Sequence, residues 1–313
     1  MKLIQIQYFC GIVEQGGFIA ASRKLNIAQP ALSRQISNLE AEIGSKLFFR
    51  GPGGTKITEA GHKFYRHARE ILEKIEGAKA DMRDDSGRIS GEVSIALPVG
   101  MASRLAAEIL QAIERDFPDL LVRIEDGLGY QAGQAVDAGK VDFGIIANVG
   151  SLQNVTLDPV LEENLFLFQK RGQEEPNTSD IELTELQNLA FIMPNRQVHV
   201  RRNLENTLIK IGVTLNVRYE QQSLLTIRSM VQAGIGATVM NWPSMSDLWY
   251  SGAVNARRII NPSLSRTVCL ATPNNRPLTK AAAAAYDVVR KVMILEVIAG
   301  NWRGAQVVSK PGE

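Results

Sequence analysis

Residues 18–39, FIAASRKLNIAQPALSRQISNL, restrict the fold more than any other stretch, because they carry two short helical apolar periods with a break between them. Leu25, Ile27, Leu32 and Ile36 recur at spacings that bury one face of each segment. Ala20, Ala21 and Ser22 are small enough to let a second helix approach closely. Asn26 stands at the break, where a residue tolerant of left-handed backbone is needed. Pro30 follows Gln29 in the first turn of the second segment, where its missing N–H has no intrahelical acceptor to lose. Facing away from the apolar stripe are Gln29, Ser33, Arg34 and Asn38, all able to hydrogen-bond base edges or phosphates, with Ala28 and Pro30 beside them. The pattern is that of a helix-turn-helix whose second helix enters the major groove of duplex DNA. Taken alone, the same stretch also suits a helical hairpin with a polar solvent face.

The residues that follow bear on that choice. Leu39, Ile43, Leu47 and Phe48 continue the apolar core, and Gly51, Pro52, Gly53 and Gly54 make a turn between KLFFR and TKIT, as in a small β-hairpin or wing. Arg50 and Lys56 flank the turn, in position to grip phosphates. Between residues 21 and 66 there are eight Lys and Arg (23, 24, 34, 46, 50, 56, 63, 66) against three Glu (40, 42, 59), a local excess larger than the net +2 of the whole chain. Phosphate binding requires such a local excess rather than a basic protein overall.

Residues 1 to about 61 resemble the N-terminal domain of LysR-type transcriptional regulators. The resemblance lies in Phe9, the Ala20–Ala21 pair, Leu25, AQPALSRQI at 28–36, LEAEIG at 39–44, LFFR at 47–50 and ITEAG at 57–61. Gly17 and Ala28 depart from the pattern, standing where Ser is common. Glycine at an N-cap costs only a few tenths of a kcal/mol relative to Ser, so these departures bear on which phosphates or bases are touched.

With 313 residues and 45% hydrophobic content, the chain has room for two or three domains with real cores. Cys10 and Cys269 lie far apart in sequence, which argues against a disulfide framework and for a reducing, cytoplasmic setting. The chain begins on an amphipathic helix over 2–15 rather than a secretory signal, and no apolar run approaches the eighteen or so residues that span a bilayer, so no membrane partner is expected. From Thr58, whose neighbour Glu59 favours a helix N-terminus, a long helix is expected. Along it Phe64, Ala68, Ile71, Ile75, Ala78 and Met82 alternate spacings of four and three, a seam that predicts helix pairing. With no second long helix nearby in the sequence, the partner is expected from another subunit. The resemblance implies the same: in LysR-type proteins this linker helix is the dimer contact.

Beyond residue 90 strands and helices alternate, which predicts an α/β sheet covered by helices. Strands are expected at 92–97, 121–126, 141–147, 159–168, 189–193, 213–220, 236–240 and 268–272, with helices at 103–116, 131–138, 198–211, 224–234 and 278–298. They sort into two lobes joined by crossings near 161–163 and 265–267. The resemblance, weaker here, implies an effector domain akin to type II periplasmic binding proteins. The expected organisation is a winged helix-turn-helix DNA-binding domain over 1–58 (mainly α), a linker and dimerisation helix over 59–89, and a two-lobed α/β effector domain over 90–302. Lobe 1 takes about 90–162 and 267–302, lobe 2 about 163–266, and 303–313 form a flexible tail.

Ligands of open α/β folds bind at the carboxyl ends of strands. That rule selects Pro98, Gly100, Met101 and Ser103 at a helix N-terminus suited to an anion, Asn195 and Arg196 opposite them, and Asn148 and Ser223 at two further strand ends. Arg196 is a candidate for bidentate pairing with a carboxylate, and Ser and Asn at helix starts also serve as ordinary caps. The expected ligand is a small organic anion. No catalytic, metal or cofactor site is expected: His62, His67 and His199 do not converge, no Cys/His set has zinc spacing, and GIGAT at 234–238 lacks the dinucleotide-binding frame. The chain therefore reads as a DNA-binding transcriptional regulator tuned by a small-molecule effector. It is expected to act as a homodimer or, as the family does, a homotetramer on an interrupted palindromic operator, with RNA polymerase as a further candidate partner. The alternative is a cytosolic solute-binding or enzymatic α/β protein carrying a helical oligomerisation domain, against which the wing and the local positive charge argue.

Overall fold

A computed structural model describes residues 1–51, 54–83, 88–147, 152–172, 178–196 and 198–308. The chain divides into two compact units, Met1–Gly87 and Arg88–Glu313.

The first unit runs α1 (Leu3–Glu14), α2 (Phe18–Lys24), α3 (Gln29–Ile43), β1 (Phe48–Gly51), β2 (Gly54–Ile57) and α4 (Glu59–Arg83). Its core joins Phe9 and Ile12 of α1, Phe18 and Ala21 of α2, Leu32, Ile36 and Leu39 of α3, and Phe48 of β1. Asn26 takes the left-handed conformation expected at the α2–α3 break, and Gly44 does so at the end of α3. The hairpin pairs Phe48 with Ile57 and Phe49 with Lys56. Thr58 Oγ1 donates to the Lys46 carbonyl at 2.7 Å and accepts from the Gly61 N–H at 2.9 Å, so one hydroxyl caps α4 and ties it to the wing. A Cβ at Gly61 would lie 2.3 Å from the Leu47 carbonyl oxygen, a contact that only glycine permits.

The first half of the α4 seam is covered within the chain rather than by a second subunit. Phe64, Ala68 and Ile71 pack with Tyr65 and Leu72 into the core formed by α1, and Phe9 and Phe64 stack edge to face at 5.0 Å between ring centres. Helix α1, short in sequence, was long enough to cover them. Ile75 stays half-buried outside that core, and the side chains of Ala78 and Met82 lie outside the described residues.

The second unit contains β3 (Gly91–Pro98), α5 (Val99–Asp116), β4 (Leu120–Gly127), α6 (Gly129–Asp137), β5 (Phe143–Ala147), β6 (Val155–Lys170) and β7 (Thr178–Glu182). It continues with β8 (Ala190–Met193), α7 (His199–Lys210), β9 (Asn216–Glu220), α8 (Leu224–Ala233), β10 (Thr238–Asn241), α9 (Ser246–Tyr250), β11 (Val254–Ile260), β12 (Ser265–Pro273), α10 (Lys280–Ile298) and β13 (Ala305–Val307). Helix α5 begins four residues earlier than the sequence suggests, and β7, α9, β11 and β13 are elements that its periodicity did not reveal. The main sheet has the order β4-β3-β5-β12-β6-β11-β7, with β10 and β13 also pairing with β6. Strands β3, β4 and β5 are parallel, whereas β12 lies antiparallel to both β5 and β6.

A small core of Ala96, Val136, Ile146 and Ala271 lies under α6, and two larger ones flank the sheet. One gathers Ile95, Leu97, Met101, Leu105, Phe143 and Leu270 under α5 and α10. The other gathers Leu165, Leu167, Ile181, Phe191, Leu204 and Val239 around α7. The long strand β6 serves both, pairing with β12 up to Asn164 and with β11 from Phe166 onward.

A flexible tail from 303 is not what the structure shows. Residues 305–307 form β13, antiparallel to β6 at Leu161–Glu163, and Trp302, 2% exposed, donates from Nε1 to Glu163 Oε2 at 2.8 Å. A buried indole and three ladder pairs fix this segment, a reason invisible in its polar composition; residues 309–313 lie outside the described part.

Candidate nucleic-acid interface and ligand cavity

On α3, Leu32, Ile36 and Leu39 are fully buried while Gln29, Pro30, Arg34 and Asn38 are exposed. Ala28 is the exposed N-cap and Ser33 is half-buried on the flank. The unburied side of the helix is therefore polar and cationic, with Pro30, Arg34 and Asn38 successive turns of one ridge. Lys56 is exposed on β2; Arg50 lies in β1 with its side chain outside the described residues.

The wing's position is set by a residue that sequence reasoning counted only as a charge. Glu40, 3% exposed, accepts from the Leu47 and Phe48 N–H groups through Oε1 and from Lys46 Nζ through Oε2 at 2.9 Å. Burial alone would raise its carboxyl. The hydrogen bonds from Lys46, Leu47 and Phe48 outweigh that and hold it below the ordinary carboxylate value.

In the second unit a cavity of about 350 Å³ opens at the carboxyl ends of β3 and β4 and the start of α5. Pro98, Gly100 and Met101 line it, as the strand-end rule expects. Ser103 and Ser223 instead face a neighbouring cavity of about 470 Å³. Each is tied to local backbone: Ser103 Oγ donates to the Gly100 carbonyl, and Ser223 Oγ accepts from the Thr226 N–H that it caps. Asn148 lies outside the described residues. Asn195 and Arg196 do not line either cavity.

Arg196 is exposed and its Nε donates to Glu205 on α7 at 2.9 Å. Glu205 also takes Arg201 Nε at 2.9 Å, and the buried Arg201 reaches the Pro194 carbonyl at 2.8 Å. Arg196 is thus paired with α7, through the same carboxylate that takes Arg201.

The polar groups that do line the cavity include Tyr130, Gln134, Arg202, Gln222, Asn241, Ser244 and Arg266, none of them selected from the sequence. The rest is mainly apolar, with Ile146, Leu152, Val200, Ile227 and Met240 among its walls. Asn241 carried a usable signal, since it ends a strand. Arg266 stands at one of the two expected lobe crossings. Asn241 is 5% exposed, accepts from Ser244 Oγ, and its Nδ2 has no hydrogen-bond partner in the protein. Gly100 packs directly on Ser244, where a Cβ would meet Oγ at 1.9 Å. Among the described residues no group of His, Cys, Asp and Glu side chains gathers to hold a metal ion, and no helix is long and apolar enough to cross a membrane.

Comparison with known proteins identifies the kind of domain that each unit forms. Residues 3–62 match the family described as bacterial regulatory helix-turn-helix protein, lysR family, and residues 86–294 match the LysR substrate binding domain. The nitrogen assimilation regulatory protein nac of Klebsiella aerogenes is 28% identical over 292 residues, covering 92% of this chain and 94% of that protein. The transcriptional dual regulator GltC of Bacillus subtilis (strain 168) is 26% identical over 290 residues, covering 92% and 96%. Among solved structures, a full-length OxyR variant from Pseudomonas aeruginosa superposes with a TM-score of 0.75 at 20% identity, covering 99% of each chain. Full-length CbnR complexed with its target DNA gives 0.68 at 20% identity, covering 93% of this chain and all of that one.

Proposed function

The chain belongs to the LysR family of transcriptional regulators, and from that premise we propose how its two units divide the work. It is a DNA-binding regulator with an effector-binding domain, not an enzyme, which sets aside the solute-binding or enzymatic alternative. The observation that carries the assignment of roles is the split of α3 into a buried apolar ridge and an exposed ridge of Gln29, Pro30, Arg34 and Asn38. We assign base reading to that exposed ridge, with Ala28 and Ser33 at its flank, and phosphate gripping to Arg50 and Lys56 of the wing.

The protein works in the cytoplasm as a homodimer, or a tetramer built from dimers, on an interrupted palindrome whose half-sites lie one or more helical turns apart. The effector is a small organic anion taken by the cavity beside Pro98, Gly100 and Met101. Its binding changes transcription from the neighbouring promoter. Ser103, Asn195, Arg196 and Ser223 serve as local structure, and Asn148 keeps its assignment at the ligand site. A gel shift of the purified protein on fragments of its own upstream region, against excess random DNA, tests the reading. A discrete complex surviving competitor at moderate salt is expected; equal affinity for every fragment refutes it.

A further inference from the structure

Resting on the reading of this cavity as the effector site, its lining also specifies the charge and shape of what binds there. The described lining holds two guanidinium groups, Arg202 and Arg266, and no carboxylate. Arg266 has only 9% of its side chain exposed and pairs with Glu163, fully buried, at 2.7 Å from both Nε and Nη2 to the same oxygen, Oε1. The other oxygen of Glu163 is taken by Trp302 Nε1 at 2.8 Å, so the carboxylate is held from both sides and cannot turn away with its partner.

One edge of the Arg266 guanidinium is thereby fixed, and Nη1 has no acceptor among the described residues. A planar fork with a free edge on an apolar cavity is a bidentate site for a carboxylate. The β6 register supplies the second anchor. Arg266 lies opposite Glu163 and Asn241 opposite Leu165, two residues apart on β6, so Arg266 and Asn241 lie on one face of the sheet. There the unpartnered Nδ2 of Asn241, in a residue 5% exposed, is a donor lacking an acceptor.

We propose that the cavity takes a small monocarboxylate with an apolar body, its carboxylate held by Arg266 and an acceptor oxygen held by Asn241, with Glu163 as the residue that positions Arg266. Charge balance sets the valence. Glu163 already neutralises Arg266, and Arg202, with no ion-pair partner among the described residues, balances one further negative charge. A dianion leaves one charge unpaired against Ile146, Leu152, Val200 and Met240, at a heavy desolvation cost.

The test follows the thermal unfolding midpoint of the full-length protein with hexanoate and benzoate, their neutral analogues hexanamide and benzamide, and the dianion adipate. A monocarboxylate at about 100 times its dissociation constant raises the midpoint by roughly 5 °C or more. The amides and adipate produce much smaller shifts. In Glu163→Gln/Arg266→Gln, which removes both charges and keeps an acceptor for Trp302, the concentration needed rises about tenfold or more. Arg196→Gln responds as the parent does. A second readout is the indole N–H resonance of Trp302, which donates to Glu163: it shifts on monocarboxylate addition in the parent and not in the double variant. The proposal is overturned if amides match the acids, if adipate matches hexanoate, if the double variant responds as the parent, if Arg196→Gln loses the response, or if no probe shifts the midpoint. Gel shifts of the unliganded parent from the same preparation report separately on DNA binding.

Discussion

Gly100→Ala tests the cavity wall directly. The added Cβ would lie 1.9 Å from Ser244 Oγ, 3.0 Å from its Cβ and 3.4 Å from its Cα. Ser244 is 4% exposed and held at both ends. Its hydroxyl bonds to Asn241 Oδ1, and its carbonyl accepts from Arg228 Nη1 at 2.7 Å while Arg228 also pairs with Asp247. The hydroxyl alone could rotate, but the Cβ contact remains, so helix α5 or the 242–244 turn must move. Overpacking of this kind costs about 1–3 kcal/mol. Replacing glycine by alanine in a helix offsets at most about 1 kcal/mol, and less here because position 100 is in the first turn. A net loss of about 1–2 kcal/mol is expected, or roughly 2–8 °C in the unfolding midpoint for a unit of this size.

Ser244→Gly removes Oγ and Cβ together and leaves only the ordinary contact to Cα. By itself it strips Asn241 Oδ1 of its donor, costing about 1–3 kcal/mol. In the double variant the clash is gone, so the two losses do not add, and the cycle returns a coupling of about 1–2 kcal/mol. Thermal and urea unfolding of the four proteins measure it. Additive losses, or a Gly100→Ala variant more stable than its parent, refute the contact as described.

Four further outcomes follow from the same geometry. Arg34→Ala weakens binding to the specific operator by about 1–3 kcal/mol with little effect on random DNA, while Lys56→Ala weakens all sequences alike and lowers the salt slope by about one, both read by anisotropy titration at several salt concentrations. Glu40, held below the ordinary 4.5, is bound to fewer protons when folded than when unfolded just below that value. Its contribution is therefore fully present above about pH 4.5, is lost as pH falls through the depressed folded value, and is absent from Glu40→Gln across the same window. Burial, then the nearby Glu14 charge, push the Cys10 thiol up to about 12, and burial with Asp158 raises Cys269, so a chromogenic disulfide reagent should titrate neither thiol at neutral pH until the protein unfolds. Trp302→Ala costs about 3–5 kcal/mol by urea unfolding, whereas a tail without fixed structure would make it neutral.

The helix-turn-helix was legible because its determinants are local. Asn26, Pro30 and the spacing from Leu25 to Ile36 act within one or two turns, and the charge excess needs only counting. What the sequence concealed there was tertiary. The stripe through Phe64, Ala68 and Ile71 has the spacing of an intersubunit seam, yet α1 covers it; periodicity shows that a face is apolar without saying what meets it. Glu40 likewise reads in the sequence as one charge among several, whereas in the fold its carboxylate holds Leu47 and Phe48.

The ligand cavity was half legible for a related reason. The strand-end rule located Pro98, Gly100 and Met101, whose place depends on one strand and the helix after it. Arg266 and Asn241 depend instead on the register of two strands laid on β6 from points 25 residues apart, and on Trp302, further along still. Arg196 follows a strand and precedes a helix, as an anion ligand should, whereas Arg266 stands near the start of β12 and carries no such local signal. What decides between them is the carboxylate each meets. Glu205 holds Arg196 away from the cavity in solvent, whereas Glu163, itself buried, holds Arg266 against the cavity with one edge unspent. An arginine's role in a chain like this is therefore set by where its counter-charge is anchored, and that anchor is fixed by strand register rather than by any neighbour in sequence.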